Sequence, residues 1–228
     1  MNILHSGRRY RSLRLRLDAV EVLAAFKDIY SYEGLSSILG IHPSILCRYY
    51  QGDTVPSNVY TKRILDTLLS KDFIKEFIYK SLSKYNWSYS RVLSDPKVLN
   101  LLSLYISNRI LSSLAGSGLK SLITFPGISS FISSLTATRL DLPVIVLYDT
   151  SSKTSIDTTI DFYDLGILRK GDYIAVIVDV LTSERLNILS NFLRDHELVL
   201  KILMCIILAD KDLEKVISSM TLFEYLIP

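Results

Sequence analysis

GDYIAVIVDVLTSER, residues 171–185, decides how the rest of the chain reads. From Tyr173 to Val178 it is an unbroken apolar run rich in β-branched residues, bounded by Gly171-Asp172 before it and a polar cluster after it. That is the pattern of a strand covered on both faces inside a parallel sheet. Ligands of such sheets sit beyond the carboxyl ends of the strands. Asp179, Thr182 and Ser183 therefore fall at the ligand edge. The helix that follows, about 184–194, offers its N-terminus to a phosphate.

Outward from this strand the chain alternates between strand and helix patterns. A helix over 98–115 closes at Gly116-Ser117-Gly118, and LKSLITF then reads as a strand, PGISSFISSLTATRLD as a turn and helix, and LPVIVLYD as a second strand. A polar stretch, SSKTSIDTTIDFYDLGILRK, precedes the central strand and has the composition of a hairpin or flap. After the central strand and its helix come LVLKILMCIILAD as a strand and DLEKVISSM as a last helix. Strands alternating with helices imply an α/β unit with a mostly parallel sheet flanked by helices.

Residues 95–210 resemble the type I phosphoribosyltransferases. Asp179 to Ser183 align with the second acid and the following Val-x-Thr-Ser of their phosphoribosyl pyrophosphate loop. Phe125-Pro126-Gly127-Ile128 falls at their pyrophosphate loop, Leu140-Asp141-Leu142-Pro143 at a Leu-Gly-Leu-Pro entry to a strand, and 151–163 at their flexible catalytic loop. The departures are specific. Val178 replaces the first acid, Glu184 and Arg185 replace two glycines, and Leu186 replaces the last threonine. Tyr148 and Asp149 stand where orotate-type members carry basic residues, and Lys153 is the only lysine in the loop that follows. The glycines let backbone amides close on a phosphate with no Cβ in the way. The resemblance thus implies this fold with its catalytic loop lost: no enzyme, no catalytic residue, no metal and no cofactor. Asp179, Thr182, Ser183, Glu184 and Arg185 remain as candidates to bind a phosphorylated effector, a nucleotide or a phosphoribosyl pyrophosphate-like compound. Three alternatives stay open: an active phosphoribosyltransferase of nucleotide metabolism with an accessory helical domain, a scaffold whose sheet domain only dimerises, and, for these residues, an ordinary polar turn and helix cap.

The N-terminal part is helical. A first helix is predicted over 17–30 from the spacing of Val20, Leu23, Ala24 and Ile29. In YEGLSSILGIHPSILCRYYQGDTVPS, residues 32–57, Leu35, Ile38 and Leu39 mark the inner face of a short helix that Gly40 stops. Ile41 plugs the turn, and Pro43 opens a second helix at the position where a missing N–H does no harm. Two short helices about a glycine turn make a helix-turn-helix. The run also resembles the lambda-repressor-like family, matching its pattern at Leu35, Leu39, Gly40, Ile41, Pro43, Ser44, Leu46, Arg48, Tyr49, Gly52, Pro56 and Ser57. By that resemblance Ser44, Ile45 and Arg48 approach the major groove of double-stranded DNA, where arginine grips guanine O6 and N7. Tyr50, Gln51, Thr54, Lys62 and Arg63 are expected on phosphates. His42 reads as a helix cap or turn residue. Helices follow over 59–69 and 73–85, the latter with an apolar stripe of Phe73, Ile74, Phe77, Ile78 and Leu82 that suits either its own core or a dimer contact. The polar stretch 86–96 breaks both periodicities, which divides the chain into a helix-turn-helix domain with connecting helix, 1–85, and a phosphoribosyltransferase-like domain, 86–228.

Composition agrees with a regulator. The 228 residues are 49% hydrophobic with a net charge of +3, ample for packed cores. Arg8, Arg9, Arg11, Arg14 and Arg16 precede the first acid, Asp18; such crowding suggests contact with a polyanion, or a solvated basic tail. No run is long and uncharged enough to cross a bilayer, and the basic start lacks a secretory apolar region, so a cytoplasmic protein is expected. Cys47 and Cys205 are far apart and expected as free thiols. Gln51 is the only glutamine, a depletion that fits a thermophile. The pairing of helix-turn-helix and phosphoribosyltransferase-like domains is similar to that of archaeal transcription regulators, which implies a homodimer whose enzyme-derived half senses a metabolite.

Overall fold

The computed structural model describes residues 8–113, 118–148, 168–210, 212–218 and 222–227. By internal contacts the chain separates into two compact units, 1–108 and 109–228. The division falls later than the 85/86 junction expected from the sequence. Residues 86–96 hold a short helix whose Val92 and Leu93 are buried, so this polar stretch is not an open linker.

The first unit is all-helical: α1 (Arg8–Lys27), α2 (Tyr32–Leu39), α3 (Pro43–Gln51), α4 (Asn58–Leu68), α5 (Lys71–Lys84), α6 (Tyr89–Leu93) and the start of α7 (Pro96–Ser112). Its core gathers Ala19, Val22, Leu23 and Phe26 of α1 with Leu35, Leu39, Leu46, Ile64, Leu68 and Ile74, each at most 1% exposed. Phe26 lies 5.1 Å from Phe77 between ring centroids and 6.5 Å from Phe73, edge-on. The α5 stripe is thereby enclosed within its own unit. α1 begins nine residues before the expected start, because arginine and leucine are good helix formers and two of its polar side chains have partners on α4. Ser12 Oγ (3.0 Å), Arg16 Nε (3.2 Å) and Arg16 Nη2 (3.1 Å) all donate to Asn58 Oδ1. The region around Arg14 and Arg16 is therefore helical and tied to α4 through Arg16, while Leu13, Leu15 and Leu17 stay 44–49% exposed.

The α2–α3 turn forms as its residues dictate. Ser31 caps α2, its hydroxyl accepting from Gly34 N–H. Gly40 takes φ +62°, the left-handed conformation glycine adopts without strain, and its N–H returns to Ser36 C=O at 2.8 Å. Ile41, 1% exposed, fills the space beneath.

The second unit is a three-layer α/β fold. Its strands are β1 (Leu119–Thr124), β2 (Val144–Val146), β3 (Tyr173–Leu181), β4 (Val199–Leu208) and β5 (Leu222–Ile227), and its helices α8 (Ile128–Leu140), α9 (Ser183–Asp195) and α10 (Asp212–Ser218). The strand order is β2-β1-β3-β4-β5, with every pairing parallel. β3 is central, and Ile174 to Val178 are at most 1% exposed. Alternate side chains pack against Leu189 of α9 and Leu213 and Ile217 of α10, while α8 contacts β1 and β3 from the other face. β5 was not anticipated: its six residues include Glu224, which looks wrong for a buried strand. Glu224 is 5% exposed because Arg109 of α7 donates to its Oε2 at 2.8 Å. The expected flap over 151–163, with Asp149 and Lys153, lies outside the described residues.

Two substitutions separate core from turn. Leu46→Ala should cost about 2–5 kcal/mol by emptying a fully buried site, and Gly40→Ala about 1–2 kcal/mol by forcing a Cβ into the left-handed region. Urea unfolding followed by circular dichroism reads both, and Gly40→Ala with unchanged stability would contradict the turn geometry.

Candidate functional site

In the first unit the expected interface residues share the outer side of α3. His42 caps the helix: in the Nε2-protonated tautomer its Nδ1 accepts from the Ser44 N–H at 3.3 Å and lies 2.8 Å from the Ser44 hydroxyl. The expectation of a capping histidine is met. Ser44, Arg48 and Gln51 are exposed, Ile45 is half-buried, and Leu46 and Tyr49 face the core. Thr54 is half-buried in the loop after Gly52. Lys62 and Arg63 lie exposed on α4, but Arg63 is also engaged: its Nη1 donates to the carbonyls of Leu39 (3.4 Å) and Gly40 (3.3 Å). It thus closes the C-terminal end of α2. Sequence reasoning missed this cap, which is set by a side chain arriving from 23 residues away. Arg8, Arg9 and Arg11 belong to the first turn of α1, and their side chains lie outside the description.

Exposed acids are also present in this unit's turn region. Glu33 in the first turn of α2 and Asp53 after α3 are both exposed. Hydrogen bonding from its own backbone N–H and then from Ser31 holds the Glu33 carboxyl below the usual glutamate range, so it remains an anion at neutral pH. Tyr50 is 41% exposed and meets Tyr32 edge-on at 6.3 Å, with Lys27 Nζ 4.6 Å above the Tyr32 ring.

In the second unit the carboxyl ends of β1 and β3 are neighbours. α8 leaves one of them toward one face of the sheet and α9 leaves the other toward the opposite face, which is a topological switch point. β1 runs through Phe125 into Gly127, whose φ of +109° and ψ of −148° lie in a region essentially reserved for glycine. β3 runs through Asp179 into Thr182, the cap of α9, whose hydroxyl accepts from Arg185 N–H at 3.2 Å. Arg185 then folds back. Its Nη1 donates to Asp179 Oδ1 at 2.6 Å and to Val180 C=O at 2.7 Å, and its guanidinium carbon stands 5.5 Å from the Phe125 ring centroid. Asp179 Oδ1 also accepts from Val180 N–H at 2.8 Å. Ser183 and Glu184 are exposed on the first turn of α9.

The structure therefore brings Asp179, Thr182 and Arg185 together, but each is engaged with another part of the same turn. An anion at this edge would meet the N-terminus of α9 and, on the other side, the carboxylates of Asp179 and Glu184. To reach such a ligand the Arg185 guanidinium must release Asp179. The sequence signalled the acid and the hydroxyl; the arginine bridge needed the fold, because it depends on the six-residue return from the first turn of α9 onto the end of β3.

Arg185→Ala should destabilise the second unit by about 1–3 kcal/mol, the range for a hydrogen bond to a charged, largely buried partner. Arg185→Lys should recover only part of this, since one ammonium lacks the planar fork. A denaturation midpoint unmoved by Arg185→Ala would assign the bridge the near-zero value of a solvated pair.

Comparison with known proteins gives a fold-level likeness only. No family model matches the chain, and no curated protein does. Among solved structures, adenine phosphoribosyltransferase from Leishmania donovani aligns with 61% of this chain and 68% of its own at 16% identity, with a TM-score of 0.47. The adenine phosphoribosyltransferase of Leishmania tarentolae aligns with 61% of this chain and 74% of its own at 13% identity, TM-score 0.45. Leishmania donovani UMP synthase aligns with 60% of this chain and 28% of its own at 15% identity, TM-score 0.42.

Proposed function

We propose that the protein is a DNA-binding transcriptional regulator, with α3 as the helix that enters the major groove. The observation that carries this reading is the α2–Gly40–α3 turn, in which Leu46 and Tyr49 anchor α3 to the core while Ser44, Arg48 and Gln51 stand outward. Base edges are read by Arg48 and Ser44, with Ile45 in apolar contact. Lys62, Gln51 and Tyr50 bear on phosphates, and Arg63 adds charge while holding the turn. In this reading the sheet unit makes no covalent chemistry. It serves dimerisation and the sensing of a phosphorylated metabolite, nucleotide or phosphoribosyl pyrophosphate-like compound, which would displace Arg185 from Asp179 and meet Thr182, Ser183 and the start of α9. The regulator then works in the cytoplasm as a homodimer; a thermophilic source suits its composition, and an archaeal one the resemblance of its domain pairing.

A second reading, an active phosphoribosyltransferase, is favoured by the switch point itself and by the glycine-only conformation at Gly127. Against it stand the side chains of Glu184 and Arg185 where a phosphate loop needs bare backbone, and the closed Arg185–Asp179 pair. Incubation with phosphoribosyl pyrophosphate, magnesium and each nucleobase distinguishes the two, and the regulator reading expects no release of pyrophosphate.

The small number of cations sets the expected strength of DNA binding. With Lys62 and Arg63 as the phosphate-neutralising cations of α4, the slope of log affinity against log salt should be about −2 per copy, shallow for a DNA-binding protein. Arg48→Ala should narrow the gap between selected and random duplex by about 1–3 kcal/mol, whereas Lys62→Ala should weaken both alike. Fluorescence anisotropy on fragments selected from genomic DNA measures these differences. Equal losses on both duplexes for Arg48→Ala would remove it from base reading.

A further inference from the structure

Arg48 can only donate a hydrogen bond to a base, whereas the hydroxyl of Ser44 can in principle donate or accept, turning to suit its partner. The start of α3 takes that choice away. Ser44 Oγ lies 2.8 Å from His42 Nδ1, and the same nitrogen accepts from the Ser44 backbone N–H at 3.3 Å. A backbone N–H only donates, so Nδ1 carries a lone pair and the ring proton sits on Nε2. The opposite tautomer sets Nδ1–H head to head against the Ser44 N–H. With Nδ1 as acceptor, the hydroxyl must be the donor. Its single proton is committed to the imidazole, and its lone pairs are left for whatever approaches from outside. The imidazole is itself held in place. Pro43 confines the residue before it to extended backbone, and His42 has φ −57° and ψ 139°. The His42 carbonyl accepts from the N–H groups of Ile45 at 3.0 Å and Leu46 at 3.2 Å, which ties it to the first turn of α3. His42 and Ser44 are both exposed, at the end of the helix that carries Arg48 one turn further on.

We propose that His42 is a specificity-determining positioning residue: it fixes Ser44 as a hydrogen-bond acceptor, so that the base facing Ser44 is one that offers an amino group. In the major groove that base is adenine, through N6, or cytosine, through N4. Guanine and thymine present O6 and O4 at the same place, an acceptor against an acceptor. Arg48 takes the complementary class, the acceptor edge of guanine. The two residues then read opposite chemistry one helical turn apart. The base preference rests on α3 being the reading helix; the tautomer and the direction of the Ser44 hydroxyl do not.

Two measurements on the full chain test it. Long-range proton–nitrogen correlation NMR of the free protein, with His42 assigned by its loss in His42→Asn, should show Nδ1 without a proton where the ring is neutral. A ring protonated on Nδ1 overturns the proposal whatever the protein binds. Selection from random duplex DNA reads the consequence, the position facing Ser44 being the one that Ser44→Ala flattens. Wild-type protein should favour adenine or cytosine there over guanine and thymine by about three- to tenfold, the worth of one hydrogen bond. His42→Gly keeps a tolerated cap but no acceptor. It should erase that preference and leave intact the guanine preference that Arg48→Ala removes. His42→Asn, which restores an acceptor oxygen, should keep both. Should His42→Gly loosen the helix, the tautomer and the Ser44→Ala selection still decide. Guanine or thymine at that position, a preference unchanged in His42→Gly, or a motif that Ser44→Ala leaves as it was overturns the proposal alone, provided that Arg48→Ala still narrows the selected motif. A protein that selects no sequence overturns the DNA-reading function and this inference with it.

Discussion

β3 has no face toward solvent, and the second unit is arranged around that fact. A strand whose side chains are enclosed above and below must pair its backbone on both edges and be covered by helices on both sides. β1 and β4 supply the edges, α8 covers one face, and α9 and α10 cover the other. Because β1 and β3 send their helices to opposite faces, their carboxyl ends open between them. Everything proposed about a ligand depends on that opening. It is lined on one side by the loop through Gly127 and on the other by the turn through Thr182.

What stands at that opening is a bridge between an acid and an arginine rather than a bare amide cradle. Arg185 neutralises Asp179 and satisfies a strand-end carbonyl with the same nitrogen. The arrangement stabilises the turn and at the same time raises a barrier to any anion seeking the helix N-terminus. A compound that offers Asp179 hydroxyl donors and Arg185 a phosphate could exchange one set of partners for the other, which gives the site a physical route to sensing without a catalytic step.

The α2–α3 turn in the first unit follows a parallel logic. It is held by a left-handed glycine, a buried isoleucine and the Arg63 cap, so the outward face of α3 is set by packing behind it rather than by interactions on it. The polar surface there is sparse: Ser44, Arg48 and Gln51 are exposed on α3, and Asp53 follows the helix.

Local chemistry made much of this legible from residues alone. The βαβ rhythm, the central buried strand, the glycine stop at Gly40, the proline start at Pro43 and the cap at His42 each depend on neighbours within a few positions, and each is found where the sequence puts it. The sequence also brought out Asp179, Thr182 and Arg185 as a group. Other features were decided only by the tertiary structure, because they need partners distant in the chain. Asn58 gathers Ser12 and Arg16 and extends α1 to Arg8; Arg63 reaches back to Gly40; Arg109 makes a buried Glu224 tolerable and so permits β5.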